Sequence, residues 1–142
     1  MLYAGAMPEL FFSAHSARID RERVHHWLSD LSYWARGRAR AVQDAAMNGS
    51  RNYGVYDDIG TQVGYARVVT DGATFAWLCD VFVDPDHRGE GVGKLLVAGV
   101  VADLEPLHLE RTVLATGDAH GLYTQFGFAV IEHPEMWMAR AG

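Results

Sequence analysis

With a single cysteine, Cys79, the chain cannot close an internal disulfide or assemble a cysteine-based zinc site. Basic residues are also scarce. Twelve Lys and Arg stand against eighteen Asp and Glu, a formal charge of −6 with the histidines neutral. A nucleic-acid binder needs clustered positive charge to displace counterions from phosphate, so this balance argues against one. It argues more weakly against a protein that lies on an acidic membrane surface. Long hydrophobic runs are missing too: Leu95 to Ala102, the longest, has eight residues, against the roughly 18 that span a bilayer. Met1-Leu2-Tyr3-Ala4-Gly5 lacks the charged start of a secretory signal. No Pro/Gly/Ser-rich linker divides the 142 residues. The expectation is one cytoplasmic domain over 1–142, large enough for a core and too small for two.

What is present is a change of period along the chain. Leu10 to Ala14 reads as a short strand. Asp20 then caps a helix whose apolar positions Val24, Trp27, Leu28 and Leu31 follow i, i+3, i+4, i+7 spacing. Arg38 to Met47 reads as a second helix with Ala39, Val42 and Ala46 inward, stopped by Asn48-Gly49. Tyr53–Tyr56, Gln62–Val69 and Phe75–Val83 are β-rich runs separated by Asp57-Asp58-Ile59-Gly60 and Asp71-Gly72, a three-stranded antiparallel meander. A helix from Gly91 to about Asp103 follows, then a strand at Thr112–Ala115 and a short helix at Ala119–Gln125. Phe128–Ile131 and Met136–Met138 read as closing strands. Together these predict an α+β or α/β domain with a mixed, mostly antiparallel sheet flanked by helices.

The stretch from Val81 to Leu96 carries the most information. A strand ends at Pro85, three glycines fall within five positions at Gly89, Gly91 and Gly93, and an apolar helix follows directly. Glycine lets the backbone approach a ligand closely, and a helix N-terminus offers unpaired N–H groups and a positive dipole end. Such a turn suits a phosphate or pyrophosphate, although it also serves as a plain strand-to-helix connection. A Walker A loop is excluded because Arg88 occupies its first glycine position and Leu95 its Ser/Thr position. A dinucleotide fingerprint is excluded because Lys94 or Leu96 would have to be glycine.

Arg88-x-x-Gly91-x-Gly93, after Val83-x-Pro85, resembles the coenzyme A loop of the GNAT superfamily of acyl-CoA-dependent N-acyltransferases. Ala119, Leu122, Tyr123, Gly127 and Phe128 match that family's Ala-x-x-Leu-Tyr-x-x-x-Gly-Phe ending, so the resemblance runs from about Tyr53 to Met138. It implies two splayed strands, Phe75–Val83 and Thr112–Ala115, with the pantetheine arm of acetyl-CoA lying between them. It implies pyrophosphate binding by Arg88, Gly89, Gly91, Val92, Gly93 and Lys94, and contacts from Phe82 and Val83 to the arm and the thioester carbonyl. The family often has a basic residue where this chain has Glu90, and frequently an asparagine touching the arm where Thr116 stands. The reaction implied is direct acetyl transfer in a ternary complex to the primary amine of a small molecule or peptide. Neither metal, nucleic acid nor membrane is involved, and self-association as a homodimer is left open. An acyl-CoA-binding sensor without turnover is the alternative.

Acetyl transfer needs a neutral amine, a polarised carbonyl and a proton for the departing thiolate. Tyr123 matches the family's general acid; its other reading is a tyrosine packed beside Phe126 and Phe128. Strict alternation in Phe75–Val83 puts Asp80 on one face with Ala76, Leu78 and Phe82, and Cys79 on the other. An acid inside an apolar strand is a candidate base or anchor for a cationic acceptor, or a structural group paired with an arginine such as Arg67. Cys79 reads as a small strand residue before it reads as a nucleophile. The adjacent pair His25-His26 cannot share a helix face as metal ligands would. His120 is an exposed helix-start residue or a proton relay. Trp27, Tyr33 and Trp34 pack helix against sheet, with one member available to an acceptor pocket.

Overall fold

A computed structural model describes residues 9–142, so the Met1–Gly5 stretch lies outside the described residues. Five strands form one sheet in chain order: β1 (Phe11–Ser13), β2 (Arg51–Tyr56), β3 (Gln62–Thr70), β4 (Phe75–Val83) and β5 (Arg111–Val113). β1 to β4 pair antiparallel and β5 joins β4 in parallel, the mixed sheet expected from the sequence. The meander turns work as their residue types demand. Asp57 accepts from the N–H groups of Ile59 and Thr61, and Asp71 from those of Ala73 and Thr74.

Four helices cover the two faces: α1 (Arg21–His26), α2 (Arg40–Asn48), α3 (Val92–Leu104) and α4 (His120–Thr124). Asp20 caps α1 by accepting from Arg23 N–H at 3.1 Å. The helix then widens over Trp27–Leu31, where Ser32 N–H reaches Trp27 O five residues back at 3.0 Å. On one face of the sheet, Val55, Val63, Val68 and Leu78 pack against Val92, Leu96, Val97 and Val100 of α3. On the other, Tyr65 and Phe82 meet Val24, Trp27 and Leu28, with Met47 of α2 closing the cluster. α3 is also tied by its polar edge, because Tyr53 Oη donates to Asp103 at 2.6 Å and Arg51 pairs with the same carboxylate at 3.1 Å.

Two expectations need correction. α2 turns Gln43 and Met47 inward and leaves Val42 58% exposed, because the half-buried guanidinium of Arg38 requires the Gln43 oxygen, 2.9 Å away. Phe128–Ile131 and Met136–Met138 form no ladder. Gly127 and His133 take left-handed φ values of +88° and +55° on either side of the first run, Pro134 starts a tight turn, and β5 is only three residues long. Val130 and Met138 are consequently 81% and 97% exposed.

Gly99, in the middle of α3, is explained by what lies over it: a Cβ there would fall within the ring of Phe12 on β1. Alanine would gain up to about 1 kcal/mol in helix propensity, whereas crowding a packed ring costs about 1–3 kcal/mol. Gly99→Ala is therefore expected to lower stability by roughly 1–2 kcal/mol. Urea unfolding checks this; an unchanged or raised midpoint would show that Phe12 does not pin the helix.

Candidate active site

The site is organised by a kink in β4. Asp80 has φ +53°, in the left-handed region that few non-glycine residues occupy. Arg67 pairs with Cys79 and Tyr65 with Phe82, so Asp80 and Val81 together oppose Ala66 alone, a β-bulge. One extra residue reverses the alternation. Ala76 and Leu78 face α3 before the bulge; Val81 and Val83 pack on that side after it, and Phe82 joins the α1 cluster. The strict alternation read from the sequence therefore fails here, and Cys79 and Asp80 both neighbour Arg67.

The Asp80 side chain is 2% exposed and fully engaged. Trp34 Nε1 donates to it at 2.9 Å, Arg38 Nη1 at 2.8 Å and Arg67 Nε at 3.0 Å. Burial alone would raise its pKa; the Arg38 hydrogen bond and the two guanidinium charges outweigh that and hold it below its ordinary value. A carboxylate so stabilised accepts a proton poorly. The Arg67 pairing weighed from the sequence is present; Arg38 and Trp34 were missed. The usable signal is the demand of a buried acid for donors, which Trp34 and Arg38, close together in the Gly37 loop, can meet.

Beyond Trp77–Val113 the parallel pairing of β4 and β5 stops, and a cleft of about 780 Å³ opens between Leu78–Val83 and Leu114–Ala119. Asp84 N–H donates to Val63 O at 2.9 Å. Ladder alternation then turns the N–H and C=O of Val83 away from β3, toward the cleft.

At one end of the cleft, Gly89 and Gly91 take φ +82° and +85°, the conformations that swing the chain from strand to α3. A Cβ at Gly91 would meet nothing within 4 Å, so conformation rather than crowding within the chain demands glycine there. The first N–H groups of α3 have no side-chain cap and stand at its positive end. Arg88 lies 5.5 Å above the Phe82 ring. Glu90 is turned to His87, whose Nδ1 is 2.9 Å from its carboxylate; that hydrogen bond raises the imidazole pKa. Phe82, Val83, Arg88, Gly89, Gly91, Val92 and Gly93 all line the cleft; Lys94 is exposed outside it.

The far wall carries Tyr123, brought in by α4 and packed edge-on against Phe128 at 5.9 Å. Burial, with the charges of Asp118 and Tyr33, pushes its hydroxyl up to about 12, so it stays protonated. Thr116 lines the cleft and its Oγ1 accepts from Ala119 N–H at 3.1 Å at the start of α4. Tyr33 Oη accepts from Gly117 N–H at 3.0 Å and bridges the two walls, a contact with no local sequence signal. Burial pushes the Cys79 thiol up to about 11, which suits a packed strand residue better than a nucleophile. His120 is exposed and outside the cleft lining. Among the described residues no cluster of three His, Cys, Asp or Glu side chains could hold a metal, and no helix is long and apolar enough to cross a membrane.

Asp80→Asn isolates the charge, since asparagine tolerates the same left-handed backbone. It leaves two largely buried arginines without a counter-ion and is expected to cost about 3 kcal/mol near neutrality. Because the folded pKa of Asp80 is depressed, its contribution is present above the ordinary carboxyl value of 3.8 and is lost as pH falls through the folded value. The stability gap between wild type and variant should therefore begin to narrow as pH falls below 3.8, and denaturant unfolding between pH 7 and pH 3 measures that onset. A gap independent of pH would remove the ion pairs from the account.

The comparisons agree with this geometry. A family model described as Acetyltransferase (GNAT) family matches residues 21–128. The structure overlays a Xanthomonas campestris pv. campestris protein, described in its crystal structure as belonging to the GNAT family, with a TM-score of 0.90 and 40% identity over 96% of each chain. A Mycobacterium tuberculosis protein solved in complex with CoA overlays with a TM-score of 0.66, at 20% identity over 88% of this chain and 74% of that one, a likeness of fold. In sequence, a Gibberella zeae chain named as an acetyltransferase is 40% identical over 63 residues, 44% of this chain and 36% of its own length. The matched part thus spans about a third of that relative. The family match, which covers most of the chain, and the split β4–β5 cleft lead to one conclusion: this chain belongs to the GNAT acetyltransferase family.

Proposed function

We propose that the chain transfers the acetyl group of acetyl-CoA to the primary amine of an acceptor by direct attack in a ternary complex. The observation that carries the proposal is the split between β4 and β5, an unpaired strand edge running from the glycine loop at α3 to the hydroxyl of Tyr123. A GNAT enzyme uses acetyl-CoA, and this cleft suits its parts in order. The N–H groups of Val92, Gly93 and Lys94, with Arg88 and Gly89 beside them, would take the pyrophosphate. The pantetheine arm would lie along Phe82 and Val83 as an extra strand, with Thr116 on the opposite wall. A Val83 N–H aimed at the thioester oxygen would stabilise the charge that develops on it.

The amine nitrogen then bonds to the carbonyl carbon, the C–S bond breaks, and the thiolate takes its proton from Tyr123 Oη. The ammonium proton of the tetrahedral intermediate leaves to solvent, and solvent returns a proton to Tyr123 Oη. The fixed ionisation of Asp80 supports a positioning role instead of the base: it holds the β4 kink and the Trp34 loop beside the reacting centre. A cytoplasmic site of action belongs to the same proposal.

Free-thiol release from acetyl-CoA in the presence of a broad panel of amines tests the activity; acetyl-CoA binding without release from any of them would contradict it. Tyr123→Phe is expected to keep acetyl-CoA affinity while turnover falls by about 10²–10⁴-fold. Since the Tyr123 pKa is raised from 10.0, wild-type turnover should hold past pH 10 instead of falling as the free phenol ionises. Full activity of the variant would pass the proton to another donor. Gly91→Asn tests the loop separately, because asparagine accepts a left-handed φ and adds only a side chain over the phosphate position. It should fold normally and weaken acetyl-CoA binding by at least about tenfold, one hydrogen-bonded phosphate contact's worth. Unchanged affinity by calorimetry would move the pyrophosphate elsewhere.

A further inference from the structure

The end of the cleft away from the glycine loop is walled by large side chains that the fold itself leaves uncovered. Tyr33 is 62% exposed, Trp34 42%, Leu31 45% and Trp77 36%, and all four line the same cavity as Tyr123. They are not scattered. Tyr33 and Trp34 meet edge-on at 5.0 Å, and Trp34 continues to Phe82 at 6.4 Å, so an aromatic row leads from solvent to the strand end beside Val83. The row is also held rigid. Trp34 is fixed through Nε1 to Asp80, and Tyr33 through its hydroxyl to Gly117. Contiguous exposed apolar surface inside a cavity marks what the cavity takes.

The charges on this wall are as informative. Two carboxylates line the cleft. Asp80 is consumed by Arg38, Arg67 and Trp34, which leaves Asp118, beside the Tyr33–Gly117 bridge, to meet an ammonium. A polyamine or aminoglycoside with several ammonium groups would find one counter-ion. A phosphorylated amine would find no free cation in the lining: Arg38 stands outside it, bonded to Asp80 and Gln43, and the cations that do line it, His87 and Arg88, belong to the glycine loop.

We infer that the acceptor is a primary amine of single charge carried on an aromatic body, an arylalkylamine, with its ring against Tyr33, Trp34 and Trp77 and its nitrogen directed toward Val83 and Tyr123. This rests on the acetyl-transfer reading above and narrows it to a substrate class. A ring seated on such a wall gains burial that an ethyl group of the same charge does not, which favours it by tenfold or more.

The test is kcat/KM, read as thiol release at saturating acetyl-CoA, for 2-phenylethylamine and tryptamine against ethylamine, spermidine, glucosamine 6-phosphate and an alanine-leading peptide. The arylalkylamines should exceed each of the others by at least about tenfold. Tyr33→Ala and, separately, Trp77→Ala should collapse the ratio of 2-phenylethylamine to ethylamine, and acetyl-CoA affinity by calorimetry should hold in Trp77→Ala, which leaves the Tyr33–Gly117 bridge in place. Both side chains are partly exposed, so the fold should survive their removal. A polyamine, sugar phosphate or peptide leading the panel would overturn the inference and leave acetyl transfer standing. A ratio unmoved by both substitutions would overturn the seating. No thiol release with any amine, despite bound acetyl-CoA, would overturn the acetyl-transfer reading itself.

Discussion

The constraint on which the site depends is the left-handed kink at Asp80. A non-glycine residue held at φ +53° costs of the order of 1–2 kcal/mol, and three donors from three parts of the chain hold it there. Arg67 comes from the neighbouring strand, Arg38 from the approach to α2, and Trp34 from the loop after α1. The extra residue turns Phe82 toward α1 and Val83 toward α3 at the point where β4 has left β5. One carboxylate therefore joins the strand that would carry the thioester to the loop that would face the acceptor.

Charge is distributed to the same end. The two arginines on Asp80 leave a net positive cluster in the wall, which is tolerable only because each has further acceptors: Arg67 reaches Ser50 Oγ at 3.1 Å and Arg38 reaches Gln43 Oε1 at 2.9 Å. A second, half-buried pair does similar work at the glycine loop. Arg23 of α1 meets Asp84 at 2.5 Å, and Asp84 also accepts from Asp86 N–H to shape the Pro85–His87 turn. α1 and the loop that follows it are thus braced against both ends of the functional half of β4, through Arg23 on Asp84 and Trp34 on Asp80. Buried ion pairs of this kind add modest net stability, but removing one partner strands the other, so they fix geometry strictly.

Legibility in the sequence followed the range of the interactions. The glycine loop, α3 and the Leu122-Tyr123 block were readable because their signals lie within a few residues: left-handed turn positions, a helix start and fixed spacing. The meander was readable from period and turn residues, and β4 has the predicted bounds. The bulge was not, since nothing in Phe75–Val83 departs from alternation until Arg67 and Tyr65 set the register. The inward turn of Gln43 was hidden for the same reason, being set by Arg38 and Asp80 and not by the apolar spacing of α2. The C-terminal runs have strand-forming composition, yet Gly127, His133 and Pro134 leave them without an edge long enough to pair with.

The central claim is that acetyl-CoA completes the sheet between β4 and β5 and rests its pyrophosphate on the start of α3. Amide hydrogen exchange with and without acetyl-CoA tests it most directly. The account predicts slowed exchange at Val83 and at Gly89 through Lys94, with β1, β2 and the body of α2 unchanged. Protection confined to other segments, or none at a concentration that saturates binding, would contradict it.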